Sequence, residues 1–445
     1  MADDSKIDSI SSLPDVILQN ILSSITTKLA ITTSLLSKRW RRVWCDTPCL
    51  SLDIVDSVKA VSVNETLSRY TAPKLMSFDL RTTTKKNIPH MDMWIKFAFS
   101  HNVENLSLDL TIWSRRIGDR YTFPEFFYLN SSLKQLSITL DDNYTFIPKC
   151  SVSWTSLKKL SLCFGRLSDE SMPKILSGCP LLESLTLSCC DRLKVLDLSK
   201  SLHLRNLNIH CGLMFKGPKQ IVAPHIRCLR MLLNYKSPCL LVDVSSLVEA
   251  KLGILFCSMS RTLDADFLQE SVLNMLENFQ NAEKLTFGEN ILQILSLAKI
   301  RGVDFPMLKV KALTLETNID QYIIPGVERV LQKSPHLKKL TIHTRNNNNT
   351  IPGSLLDNYL ELQGFEPDRC WRSKDGVIRI RTGIIKSKHV TSLLKLMLRN
   401  AKTLEKMVVQ LNDNYLKFKD VVTTLSPNRN VSIVLSTEPK TTHEW

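Results

Sequence analysis

Between residues 75 and 411 one short pattern, L-x-x-L-x-L with apolar substitutes, returns about a dozen times, and it constrains the fold more than any other feature of the chain. The clearest pair, Ile175 to Leu187 (ILSGCPLLESLTL) and Val330 to Ile342 (VLQKSPHLKKLTI), aligns without a gap. The same frame recurs at Leu276 to Phe287 and at Leu398 to Val409, and further copies begin at Leu75, Val103, Leu133, Leu157, Leu204, Ile226, Leu247 and Val310. Consecutive copies up to Leu337 are spaced by 21 to 35 residues. Units of this length cannot bury their apolar faces alone and must stack. The pattern therefore predicts an α/β chain, an irregular solenoid in which each unit is a helix or turn feeding a strand of one parallel sheet. Gly178 followed by Pro180 ends the helical stretch at Ile175-Leu176. The longest spacer carries Leu268, Val272, Met275 and Leu276 at helical spacing.

On each strand the leucines point inward and the intervening residues line the concave face. Those positions nominate Lys159, Thr186, Asn208, Arg230, Lys251, Lys284 and Lys339 as target-facing. Hydroxyls and amides dominate the face, with charges of both signs roughly balanced. That balance matters because the whole chain is basic, at +15 with a pI near 9.2. A nucleic-acid binder gathers its Lys and Arg into one stripe, whereas here the excess is spread over helices and loops, apart from Lys38–Arg42.

Ahead of the repeats, Leu13 to Trp44 is too apolar for its length. Leu13, Ile17 and Ile21 form one row at four-residue spacing, and Leu18, Leu22 and Ile25 form a second beside it. Together with Val16 they cover more of the helix than a single core-facing stripe requires. Ala30 to Trp44 shows the same excess, with Leu36, Trp40, Val43 and Trp44 on one side and Ile31 and Leu35 on another. A segment of roughly 40–50 residues cannot enclose so many large groups. Either it packs on the rest of the chain as a lid, or it presents a docking surface.

Leu13-Pro14-Asp15, Ile21-Leu22, Thr27-Lys28 and Leu36-Ser37-Lys38-Arg39-Trp40-Arg41 followed by Trp44 resemble a plant-type F-box. Ile25-Thr26 stands where that family often has Leu-Pro, and Leu29 where a polar residue often follows the lysine. The resemblance implies a three-helix module that binds the Skp-family adaptor, and through it the cullin, of a ubiquitin ligase. It implies adaptor contacts at Leu13, Pro14, Ile17, Ile21, Leu22, Leu35, Leu36, Arg39, Trp40 and Trp44. Gly178–Glu183 and Asp243–Ala250 resemble stretches of plant F-box/leucine-rich-repeat proteins, and Leu394–Leu411 is similar to their FBD-type C-terminal region. The expected organisation is an F-box over 1–52, leucine-rich repeats over 70–345 and an FBD-like region over 346–445 that continues the repeat pattern. The polar loop Asn346–Asn349 marks the last boundary.

Chemistry of other kinds finds no foothold in the sequence. No G-x-S-x-G, P-loop or H-E-x-x-H motif is present, and the nine histidines form no catalytic or metal-binding motif with carboxylates or cysteines. The twelve cysteines are scattered, with no C-x2-C pair, which argues against a metal site. Without a signal-like or membrane-spanning stretch the expected location is cytoplasmic or nuclear. The expected protein is a non-catalytic substrate-recognition subunit of an SCF-type (Skp–cullin–F-box) ligase, without cofactor or metal. It binds the adaptor through the F-box and an unknown target protein through the repeats. A ligase-independent scaffold and a basic nuclear nucleic-acid binder are the alternatives.

Overall fold

The computed structural model describes residues 10, 12–54, 60–111, 121–140, 146–163, 167–237, 239–344, 349–371, 387–411 and 431–437. It divides into two compact units, Met1–Leu187 and Ser188–Trp445.

The first unit begins with three short helices, α1 (Asp15–Leu22), α2 (Thr27–Thr32) and α3 (Trp40–Val43). Pro14 stands one residue before α1, with φ −58° and ψ 149°, where its missing N–H costs nothing. The apolar run from Ala30 to Trp44 is not one helix. The Thr32 hydroxyl donates to the Lys28 carbonyl and the Thr33 hydroxyl to that of Ala30, a side-chain pairing that competes with helix propagation. A 3₁₀ turn (Thr33–Leu35) and a short irregular stretch follow before α3.

The chain then enters the sheet through β1 (Cys49–Ile54), α4 (Ala60–Arg69), β2 (Ser77–Thr82), α5 (Ile88–Ser100) and β3 (Asn105–Leu110). Next come α6 (Glu125–Tyr128), β4 (Gln135–Leu140), β5 (Lys159–Cys163), α7 (Ser171–Ser177) and β6 (Ser184–Ser188). Strands β1 to β5 pair in parallel in chain order, in registers such as Leu52↔Leu80 and Leu106↔Leu136. The helical module is joined to this sheet by hydrogen bonds: the Ser51 amide donates to the Thr27 hydroxyl at 2.8 Å, and the Tyr70 hydroxyl donates to the Thr47 carbonyl at 2.7 Å. Gly178 does follow α7, but with a right-handed φ of −82°. Its requirement is space, because a Cβ there would lie 2.3 Å from the Val152 carbonyl oxygen.

The second unit alternates β7 (Val195–Asp197), β8 (Asn206–His210), β9 (Gln220–Val222), β10 (Cys228–Asn234), β11 (Leu240–Asp243) and β12 (Glu249–Leu255). Here the main strands start about 22 residues apart. That spacing leaves no room for a helix, so the expected helix or turn is replaced by the short parallel sheet β7-β9-β11. The longer spacers beyond β12 do hold helices. They are α8 (Ala265–Asn278), β13 (Lys284–Gly288), α9 (Glu289–Ile300), β14 (Ala312–Glu316), α10 (Ile324–Gln332) and β15 (Lys339–His343). After these come α11 (Gly353–Leu362), α12 (Pro367–Cys370), α13 (Ser387–Asn400), β16 (Lys406–Leu411) and β17 (Ser432–Thr437). Strands β8, β10 and β12 to β17 pair in parallel, so the sheet continues through the C-terminal region.

The core follows from the repeat. Leu207, Leu229, Ala250, Leu285, Leu313, Leu340 and Met407 stand in register across seven strands, and all are buried. The asparagines that close several repeats satisfy backbone carbonyls of neighbouring segments. Asn234 donates to Gly212 and Leu213, and Asn290 donates to Ile254 and Asn349. Helix α9 is buried from Glu289 to Ala298. It approaches α10 so closely that a Cβ at Gly326 would meet the Leu292 carbonyl at 2.4 Å. Of the polar loop read at Asn346–Asn349, all but Asn349 lies outside the described residues.

Candidate functional site

The helical module resolves its apolar excess into two populations. Leu18, Leu22, Ala30, Trp40, Val43 and Trp44 form a closed core, with Leu13, Ile31 and Cys45 packed against it. Val16, Ile17, Ile21, Leu29, Leu35 and Leu36 stay in solvent, Leu35 at 85% and Leu36 at 70% exposure. Ile17 and Ile21, four residues apart on α1, share a face. Of the nominated adaptor contacts, Leu22, Trp40 and Trp44 are therefore core groups, and Trp40 is only 5% exposed. Leu13 is half-buried. Arg39 is committed within the module, bonding the Asp15 carboxylate at 2.6 Å and the Leu13 carbonyl, which ties the start of α3 to the start of α1. Pro14, Ile17, Ile21, Leu35 and Leu36 face solvent. Leu29, a departure from the resembled motif, joins them as an exposed apolar residue that the nomination did not include.

On the strand face, Asn208, Arg230 and Lys251 fall in one row by register. Lys284 and Lys339 lie in the neighbouring row, with Ala312 between them. Lys159 and Thr186 belong to the first unit. There they line, with Asp79, Ser107, Ser137 and Ser161, a hollow of about 430 Å³ on the face of the sheet. Asp79 is half-buried in it, and desolvation raises its pKa although the Ser77 hydroxyl bonds it. Lys251 is committed internally, to Glu316 at 2.9 Å. Lys284 lies 3.7 Å from Glu249.

Several other titratable groups are deep rather than poised in a cleft. Burial pushes the thiols of Cys179, Cys190 and Cys239 up to about 12 and that of Cys211 to about 11, the reverse of an activated nucleophile. Glu289 is pushed up to about 8 by burial, with the Asn318 amide and side chain bonding it at 3.3 Å. His210 is lowered by burial and then by the nearby Lys251 and Arg230. Among the described residues no cluster of His, Cys, Asp or Glu is arranged to hold a metal ion, and no helix is long and apolar enough to cross a membrane.

A small helical module with surplus apolar surface, followed by a repeat solenoid with a parallel sheet, defines an F-box protein of the repeat-bearing class. The F-box domain model matches residues 10–52, and the model described as At1g61320/AtMIF1, LRR domain, matches residues 69–432. The putative F-box/LRR-repeat protein At3g18150 of Arabidopsis thaliana is 57% identical over 434 residues, covering 97% of this chain and 92% of the relative. The F-box/LRR-repeat protein At5g02910 of the same plant is 49% identical over 441 residues, covering 96% and 94%. At3g03360, another F-box/LRR-repeat protein of that species, is 49% identical over 456 residues, covering 97% and 92%. The chain belongs to the plant F-box/leucine-rich-repeat family.

Proposed function

We propose that this chain is the substrate-recognition subunit of an SCF-type (Skp–cullin–F-box) ubiquitin ligase. The F-box takes the Skp-family adaptor, and through it the cullin, while the strand face of the repeats takes the target protein. The chain is then non-catalytic: it supplies proximity to a ubiquitin transfer that other subunits perform. Residues 346–445 are read as an FBD-like region that continues the repeats, and the site of action as cytoplasmic, nuclear or both.

One observation carries the reading. The module's core is complete without Val16, Ile17, Ile21, Leu29, Leu35 and Leu36, yet these stay exposed. Exposed apolar groups gathered on so small a module mark an interaction site. A partner that covers them is the economical explanation. The test is capture of a Skp-family adaptor by the full-length chain. Adaptor captured with cullin behind it supports the ligase reading. Failure of a folded chain to capture any adaptor favours the ligase-independent scaffold.

A further inference from the structure

We propose that the strand face of the second unit takes an acidic, extended segment of the target protein. This rests on the reading of the strand face as the target surface and goes beyond it by naming the chemistry of what binds.

The face positions of β10 and β12 to β16 carry five cations, Arg230, Lys251, Lys284, Lys339 and Lys406, against two carboxylates, Glu249 and Glu316. Both carboxylates are already engaged, Glu316 by Lys251 and Glu249 by Lys284. That leaves Arg230, Lys339 and Lys406, none of which forms an ion pair among the described residues. Lys339 and Lys406 are paired directly across neighbouring strands, and both are exposed. Like charges placed opposite each other in a sheet are destabilising. An anionic partner relieves that repulsion. The face of the first unit has the opposite bias, with Asp53, Asp79 and Asp109 against Arg81 and Lys159, so a basic face is not a general property of these repeats.

Spacing and interleaving favour polypeptide over nucleic acid. Neighbouring strands are roughly 4.8 Å apart, so Lys339 is one strand spacing from Lys406 and two from Lys284. Carboxylates at alternate positions of an extended chain recur about every 6.8 Å, which flexible lysines reach from either separation. The next row inward holds the partly exposed Thr286 and Thr314, uncharged hydroxyls suited to peptide groups. A continuous phosphate backbone would instead run past Glu249 in the same row, where no broad basic stripe exists.

The experiment uses the full-length chain and fluorescence anisotropy at physiological salt. Its probes are a short peptide alternating Glu and Ser, the same peptide with Lys for Glu, and a single-stranded RNA of matching length. The acidic peptide is expected to bind, and Lys339→Glu with Lys406→Glu to weaken it by at least about tenfold. Lys339→Gln with Lys406→Gln, which adds no charge, is expected to weaken it by about threefold or more. Reversal of the exposed Lys174 and Lys200 should change it by less than about twofold. Equal weakening by the two reversed pairs overturns the proposal, as does RNA bound more tightly than peptide through the same lysines. Adaptor capture is measured on the same preparations. A chain that captures adaptor but binds no acidic peptide overturns this proposal alone, leaving the adaptor reading in place.

Discussion

Lys251 on β12 and Glu316 on β14, 65 residues apart in sequence, meet at 2.9 Å across the intervening strand β13. The register explains how. Lys251 stands level with Thr286 and Thr314, and Glu316 is one step further along, level with Gly288. Both side chains are largely withdrawn from water, at 17% and 8% exposure. Removing one partner of such a pair takes away a charge-assisted hydrogen bond, which typically contributes about 1.5–3 kcal/mol. Lys251→Ala should therefore lower the melting midpoint of the chain by several degrees, and Glu316→Leu alone should do the same. The Lys251→Met, Glu316→Leu double variant should recover most of the loss. Differential scanning calorimetry at a fixed scan rate distinguishes this from a surface pair, which would leave all three midpoints together.

Glu289 predicts how stability responds to pH. Burial raises its pKa from an ordinary 4.5 to about 8 in the folded chain. Between those values the folded state holds a proton that the unfolded state has released, so stability falls as pH rises from about 4.5 to about 8. Asp320, also raised by burial, acts in the same direction. Glu289→Gln keeps an oxygen for the Asn318 bonds and removes the titration. The variant should be more stable than the parent at pH 8, by an amount on the order of a few kcal/mol, with the gap closing toward pH 5. Parallel denaturation curves of the two proteins across that range, with no closing of the gap, would count against the assignment.

Gly326 tests the close approach of α9 and α10. An added methyl at that position meets the Leu292 carbonyl oxygen and the Ser296 backbone, neither of which can rotate away. It also threatens the bond from the Gly326 amide to the Ser296 hydroxyl, 2.8 Å long and buried. Gly326→Ala should cost about 1–3 kcal/mol or more, whereas the better helix propensity of alanine alone would predict a gain. A stabilised variant, read by chemical denaturation, would mean the helices can move apart freely.

Much of the solenoid was legible from the repeat because a two-residue side-chain period combined with a fixed frame leaves little freedom. Each apolar position that opened a repeat, from Leu75 through Leu404, stands two residues before a strand. Three-residue strands such as Val195–Asp197 and Gln220–Val222 are too short to show any period, so β7-β9-β11 was invisible. Strand β1 has clear alternation at Leu50, Leu52 and Ile54, but it lies where the F-box motif ends and was absorbed into that reading. In the helical module, periodicity revealed two apolar rows without saying which faces inward. Packing decides for Leu18 and Leu22, leaving Ile17 and Ile21 outside. Likewise composition gives a total of +15 but not which cations are neutralised, and that Lys339 stands directly opposite Lys406 emerges only once strand register is known.

The division of the helical module into core and exposed groups carries the central claim, and one titration tests it. Full-length protein is titrated with a Skp-family adaptor by calorimetry, using Ile17→Asp with Leu36→Asp as one variant and Trp40→Ala as the other. Ile17 and Leu36 are exposed, so the first variant should melt like the parent while binding weakens by at least about a hundredfold, or roughly 2.7 kcal/mol. Trp40 is buried, so the second should lower the melting midpoint, a core Trp→Ala typically costing about 3–5 kcal/mol, and should lose adaptor only as far as the module unfolds. Unchanged adaptor affinity in the Ile17→Asp, Leu36→Asp variant, with its fold intact, would contradict the account.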